Sequence, residues 1–449
     1  MRGWRTAFAV ALMSSQAGAA WGAPVLLVSI DGLRPADVLE ADKKGLKLPN
    51  LRRFVDQGSW AIGVKGVLPT VTYPSHATLI TGAAPAKHGI YGNTSFDPHQ
   101  INQGGWYWYA SDIKVETLWD AAFKAGMTTA NVHWPVSVGA KSIYWNLPQI
   151  WRTGHGDDAK LLAALATPNL LKELEEDGSV YAAGIDESIE ADENRAAFAV
   201  KLIKRHRPEF MTVYLTALDH EQHLAGPDSP SSRAVLERLD TLIGQLVSTA
   251  QAARPDTVIA VASDHGFAAI DTEINLFRAF IDAGLITLDG NGKIAAWRAM
   301  PWVSGGSAAI VLANRTDPAL TQEVALLLDG LQAKPDLKID AVLDRAKIKS
   351  KGGNPAADFY VAFAPGTVAG GFKGAAAPLI SKPSYAGMHG YMPDARGMEA
   401  AFLLMGEGIS KGKSLGVIDM RMIAPTLASV MRARLPTAEL PALDVEDRP

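Results

Sequence analysis

One pattern recurs in this chain and restricts its fold more than any other: an apolar run that gives way to an aspartate. VLLVSI (Val25–Ile30) closes on Asp31-Gly32, MTVYLTAL leads into Asp219, and VIAVAS ends at Asp264. The runs are apolar at successive positions rather than at every second one. That is the signature of strands covered on both faces, the condition of a parallel sheet. Between them lie stretches of helical period: LPNLRRFVDQGS, ETLWDAAFKAG, ENRAAFAVKLIKRH and SSRAVLERLDTLIGQLVSTAQAA. Strand alternating with helix predicts an α/β fold, a doubly wound, mostly parallel sheet with helices on both faces. With 449 residues, 48% of them hydrophobic, the chain can fill such a core. In sheets of this kind ligands bind beyond the carboxyl ends of the strands, where these aspartates fall.

Histidines accompany the aspartates. Asp219 is followed four residues on by His223, Asp264 immediately by His265, and His389 stands in a glycine-flanked loop, Gly387 to Gly390. If the chain turns helical at Asp219, both members of the first pair share a face. For the second pair, Gly266 is expected to allow the bend that brings neighbouring side chains to one ion. Carboxylate and imidazole are ligands for a divalent metal. The chain has no cysteine, so a metal must be held by nitrogen and oxygen. His220 is read as a neighbour of the ligands, and His76, His88 and His133 as hydrogen-bonded structural histidines. A net charge of −4 gives no basic surface for nucleic acid.

Between the first two aspartates lies LPTVTYPSHATLITG, with Thr72 as the candidate nucleophile and Thr70 as its rival. A free hydroxyl attacks poorly near neutral pH, and a divalent cation lowers its pKa. A helix is expected to begin right after Thr72, where its N-terminus favours a phosphate.

Taken in order, these segments resemble the alkaline phosphatase superfamily: Asp-Gly after the first strand, Thr-aromatic-Pro-x-His running into TLITG, then HGIYGN, D-x-x-x-H and D-H-G. The resemblance is closest to the nucleotide pyrophosphatase/phosphodiesterase family. It implies an alkaline-phosphatase-like fold and two zinc ions, one held by Asp219, His223 and His389, the other by Asp31, Asp264, His265 and the Thr72 oxygen. It also implies that Asn93 donates to a phosphoryl oxygen, and that Tyr73 and Tyr214 place aromatic rings around a nucleobase. The substrate would be a small phosphodiester or nucleotide, cleaved through a phospho-threonine to release a nucleoside 5′-monophosphate. The segment WPVSVGAKSIYWN lacks the Lys-x-Arg pair of threonine-dependent phosphomonoesterases in that superfamily. A monoesterase or phosphonate hydrolase on the same scaffold is the alternative, and a noncatalytic periplasmic binding protein is the alternative from another class.

Two regions stand apart. Residues 1–23 read as a signal peptide: Arg2 and Arg5, the apolar AFAVALM, then small residues at Ala17, Ala19 and Ala20, with removal expected near Ala20 to Ala23. A periplasmic or secreted protein without a membrane span is the expectation. From about 272 to 382 the rhythm changes to short strand-like runs and a glycine-rich loop, expected to form a small inserted α+β subdomain. The aromatic run Trp106 to Tyr109 reads as packed structure in preference to a substrate lip.

Overall fold

The computed structural model of the chain describes residues 22–101, 105–151 and 154–447. The expected signal peptide, up to residue 21, lies outside them. In chain order the central sheet and the insertion are built from strands β1 (Val25–Ile30), β2 (Ser59–Trp60), β3 (Thr129–Val132), β4 (Trp145–Leu147), β5 (Phe210–Leu215), β6 (Val258–Ala262), β7 (Ala299–Val303), β8 (Ser307–Leu312), β9 (Ile339–Asp344), β10 (Phe359–Phe363), β11 (Phe402–Met405) and β12 (Lys413–Ser414). The helices that matter here are α1 (Pro49–Gln57), α2 (Thr72–Thr81), α3 (Leu118–Lys124), α4 (Ile189–His206), α5 (Ala217–Ala225), α6 (Pro230–Ala253), α7 (Pro318–Gln332) and α8 (Ile423–Val430).

Eight strands form the main sheet in the order β12-β2-β11-β6-β1-β5-β3-β4. β1 pairs in parallel with both β5 and β6, and β3 with β5 and β4. Only β11 runs against its neighbours β6 and β2. The apolar runs are fully buried because each face carries its own core. Leu26, Val28 and Ile30 of β1 pack with residues of α1, α4 and α6, while Val25 and Leu27 pack on the other side with α2, α3 and α8. This is the doubly wound arrangement that the sequence predicts. Helix α3 starts on a capping box, Thr117 with Asp120, at the position where the amphipathic stretch sets in.

The central place of β1 decides where chemistry can occur. Its carboxyl end lies between those of β5 and β6, so the residues after all three strands converge. One local expectation needs correction. β5 stops at Leu215, and Asp219 is not at a strand end but in the first turn of α5.

The region after residue 271 builds a second layer. Strands β7-β8-β10-β9 form an antiparallel sheet with a core of its own, which includes α7. The layer begins and ends on one small ladder, where Thr272–Ile274 pairs with Ile380–Ser381. Among the described residues no helix is long and apolar enough to cross a membrane.

Candidate active site

Two groups of three side chains that could hold a metal ion form where the strands end. Asp219, His223 and His389 make one, and Asp31, Asp264 and His265 the other; within each, the facing atoms lie within 4.8 Å of one another. Asp31 follows β1, Asp264 and His265 follow β6, and α5 supplies Asp219 and His223. Because α5 is helical, the four-residue spacing puts His223 Nε2 3.4 Å from Asp219 Oδ2. His389 arrives from the loop after the insertion, its Nε2 3.5 Å from the other oxygen of Asp219.

The histidines are aimed by the backbone. His265 Nδ1 donates to the Gly266 carbonyl at 3.1 Å, His223 Nδ1 to that of Gly387 at 3.0 Å, and His389 Nδ1 to that of Thr70 at 3.1 Å. A carbonyl can only accept, so the proton of each neutral ring sits on Nδ1. The Nε2 lone pairs then point at carboxylates, for example 3.3 Å from Asp31 Oδ1 and 3.1 Å from Asp264 Oδ2. Lone pairs facing carboxylates repel unless a cation stands between them. This is the arrangement in which a second set of partners fixes the tautomer of a metal-binding histidine.

The electrostatics agree. Burial, then the charges of Asp219 and Asp264, push the Asp31 carboxyl well above the usual carboxylate range, and burial with Asp219 raises Asp264 to about 7. Burial would also raise Asp219, but the charge and hydrogen bond of His223 hold it below its ordinary value, and Asp219 in turn raises His223 against burial, so that in the absence of a cation a proton on His223 stands in for one. Burial lowers His389 to about 4 and His265 well below its ordinary value, which keeps both rings neutral. Asp31 Oδ1, Asp219 Oδ1 and Asp264 Oδ2 are buried without a hydrogen-bond partner. Orphaned carboxylate oxygens at such sites are expensive unless a cation neutralises them. The residues of these groups therefore fit a divalent cation.

Thr72 lies beside the second group and lines the same cavity as the first. It is the first residue of α2, 7% exposed, with its Oγ1 3.5 Å from His265 Nε2. The local sequence leaves one donor free at this helix start. The Tyr73 N–H donates to Asn93 Oδ1 at 3.0 Å, Pro74 has no N–H, and Ser75 already bonds Val71. The Thr72 N–H is thus one of the orphan groups a helix terminus leaves. Asn93 lines the cavity, and with its Oδ1 engaged by Tyr73 its NH₂ is the end of the amide that can serve a ligand. Thr70 drops out as a nucleophile, since it is wholly buried and its hydroxyl donates to the Tyr391 carbonyl.

Two glycines are fixed by this geometry. Gly32 has φ +68°, and its N–H donates to Asp264 Oδ1 at 3.2 Å, tying the end of β1 to the end of β6. Gly266 is needed for a reason other than the expected bend. Its φ is not in the left-handed region, and a Cβ there would come within 1.9 Å of the Gly397 carbonyl.

The two groups open into a cavity of about 490 Å³. A family model of type I phosphodiesterases/nucleotide pyrophosphatases matches residues 25–392, which spans both ligand groups, Thr72 and the insertion. The chain belongs to this family. Ectonucleotide pyrophosphatase/phosphodiesterase family member 1 of Homo sapiens is 27% identical over 239 residues, 50% of this chain and 21% of that protein. Bis(5'-adenosyl)-triphosphatase ENPP4 of Homo sapiens is 28% identical over 279 residues, 61% of this chain and 54% of that one. The chain spans between about a fifth and about half of the length of these relatives. Human ectonucleotide pyrophosphatase/phosphodiesterase 5 superposes with a TM-score of 0.64 at 20% identity, covering 92% of this chain and 95% of that one. The murine protein, solved as an inactive threonine-to-alanine form with AMP, gives 0.65 at 20% identity, covering 94% and 96%. At that identity the likeness speaks for the fold.

In this phosphodiesterase-family chain the cavity wall differs from the sequence reading in three places. Tyr214 touches the cavity but is only 2% exposed; its hydroxyl donates to Asp31 Oδ2 and its ring lies edge-on to His76. It is occupied in holding a ligand, not in stacking on a base. Trp106, read as packed structure, lines the cavity, stacked on Trp151 at 3.9 Å with Tyr73 against it at 5.3 Å. Glu187, His220, Trp302 and Tyr385 also line it, and of these only His220 was singled out from sequence. Trp302 belongs to β7, so the insertion supplies one wall. No period or motif marks these residues. His76 is structural as expected, its Nδ1 donating to the Thr72 carbonyl at 2.8 Å and its Nε2 accepting from Ser29.

Proposed function

We propose that the protein is a hydrolase that cleaves phosphodiester or pyrophosphate bonds in nucleotides or similar small esters, with Thr72 as nucleophile. The observation that carries this reading is the position of the Thr72 hydroxyl, at a helix N-terminus, 3.5 Å from His265 of one histidine–carboxylate group and in the wall of the cavity that the other group lines. Asp219, His223 and His389 would hold one zinc ion, and Asp31, Asp264, His265 and Thr72 Oγ1 the other. Bound there, zinc supplies the positive charge that lowers the pKa of a hydroxyl and offsets the charge on phosphoryl and leaving oxygens.

The chain's own groups do the rest. Thr72 Oγ1 gives up its proton to solvent and forms a bond to phosphorus as the opposite bond breaks, and the leaving oxygen takes up a proton from solvent. The phospho-threonine is then hydrolysed by water, which returns the hydroxyl. The Thr72 N–H and the Asn93 NH₂ donate to non-bridging oxygens, and the N-terminus of α2 favours their negative charge. Trp106, backed by the buried ring of Tyr73, offers apolar surface to a base, and the product from a nucleotide diester is a nucleoside 5′-monophosphate.

A monoester dianion needs a second charge met at the site. Among the described residues lining the cavity there is no lysine or arginine, and Glu187 adds negative charge. This favours a singly charged diester. The leader-like N-terminus supports a periplasmic or secreted location. The test is a substrate panel on zinc-loaded protein. A p-nitrophenyl nucleotide diester should turn over at least about 100-fold faster than p-nitrophenyl phosphate, the scale of losing one charge-matching contact. The reverse preference, or full activity after exhaustive chelation, would refute the reading.

A further inference from the structure

Helix α5 carries two of the six metal-ligand side chains, yet it does not cap itself. Thr216, at the N-cap, is a residue type that usually accepts from the first turn, but its side chain makes no cap bond. Its hydroxyl accepts from Arg195 NH1 at 2.8 Å instead. The cap comes from another helix: Asp192 of α4 accepts the Thr216 N–H at 3.1 Å and the Ala217 N–H at 2.8 Å, one on each oxygen. Arg195, one turn further along α4, pairs with the same carboxylate through NH1. Both side chains are wholly buried.

The guanidinium has a second set of partners. Its Nε donates to the Gly184 carbonyl at 2.9 Å and its NH2 to that of Asp186. Asp186 precedes Glu187, which lines the cavity. One buried ion pair thus fixes both the start of the helix that presents Asp219 and His223 and the loop that forms the cavity rim. Asp31, Asp264 and His265 come from other elements and have no contact with it.

We propose that Asp192 and Arg195 are positioning residues for the Asp219–His223–His389 group alone, setting how tightly that group holds its ion by fixing the first turn of α5. The proposal rests on the two-metal reading. A rigid carboxylate cap holds Asp219, in that first turn, and His223, one turn on, at a constant distance from His389, which approaches from a separate loop. Loosening the cap lets the pair shift relative to His389 without disturbing the deeper group.

The test is zinc affinity of the full-length protein, read by competition with a chromogenic chelator. Wild type should hold two ions. Asp192→Asn should weaken one ion by about 10-fold and leave the other within about twofold, the scale of losing an outer-shell partner. Thr216→Val keeps the ion pair and should weaken the same ion by less. Adding Asp192→Asn to His389→Asn should cause no further loss, which identifies the ion. At limiting zinc kcat should fall, and raised zinc should restore it, a rescue that a general loss of structure would not show. Equal weakening of both ions, or no change in either, overturns the proposal. If Asp192→Asn does not fold, Thr216→Val decides it. Wild type that takes up no zinc overturns the metal reading, and this proposal with it.

Discussion

The two ligand groups use the same chemistry but are built from different parts of the fold. Asp31, Asp264 and His265 stand on the ends of β1 and β6, with exposures of 2%, 0% and 0%. Asp219, His223 and His389 come from the start of a helix and from a loop, and all three line the cavity. The first group is part of the core, held by sheet register and by the Gly32 N–H; the second is a wall assembled from pieces that meet only in the tertiary structure. The contrast teaches that burial and function divide here. The inner group is positioned by what the fold cannot change, and the outer one by contacts that can be altered one at a time.

Thr72 would add only a fourth donor, its hydroxyl oxygen, to an inner group that already has three, so its removal should have the largest effect on rate and the smallest on metal. Thr72→Ala should retain both zinc ions by elemental analysis and lose about 10,000-fold in kcat, the scale of removing a nucleophile. Appreciable turnover would assign the attack to another group. The next largest effects set the groups against each other. Asp264→Asn and His389→Asn should each lose one zinc and on the order of 1,000-fold in rate, but Asp264→Asn should also change Tm in the metal-free protein, because its carboxylate is buried among other charges. Equal Tm values for the two variants would erase the distinction. Chelation tests the same point by time: zinc release should be biphasic, the cavity-facing ion leaving first, and a single phase would mean that the groups behave as one. Tyr214→Phe is the mildest change. Loss of the phenol from Asp31 should weaken the inner ion by about 10- to 100-fold with little effect on KM, whereas a ring used for base stacking would show the opposite pattern.

Much of this was legible in the sequence, for physical reasons. Strands buried on both faces announce themselves by continuous apolar runs, and the acids that follow them are where such a sheet binds ligands. That reasoning placed Asp31, Asp264 and His265 correctly. It misplaced Asp219 by one element, because TAL continues the apolar run across the boundary from β5 into α5. The division of six ligands into two groups and the place of Asn93 came from family resemblance, since spacing alone does not say which residues meet. Trp151, Glu187, Trp302 and Tyr385 carry no local signal: they become a cavity wall only when loops far apart in the chain converge. The cap that Asp192 lends to α5 is of the same kind. A threonine at a helix start reads as its own cap, and nothing local reveals that its hydroxyl is engaged by an arginine from α4.

The order of ligands along the chain has a consequence for how the protein is made. Once His265 has left the ribosome, every side chain of the inner group exists, and so do β1, β5 and β6 that carry it. The outer group waits for His389, which emerges only after the whole inserted layer has been synthesised. The deeper set of side chains is therefore complete in the chain before the outer one. The mouth of the site, and with it the ability to act on any substrate, is completed only after the inserted layer.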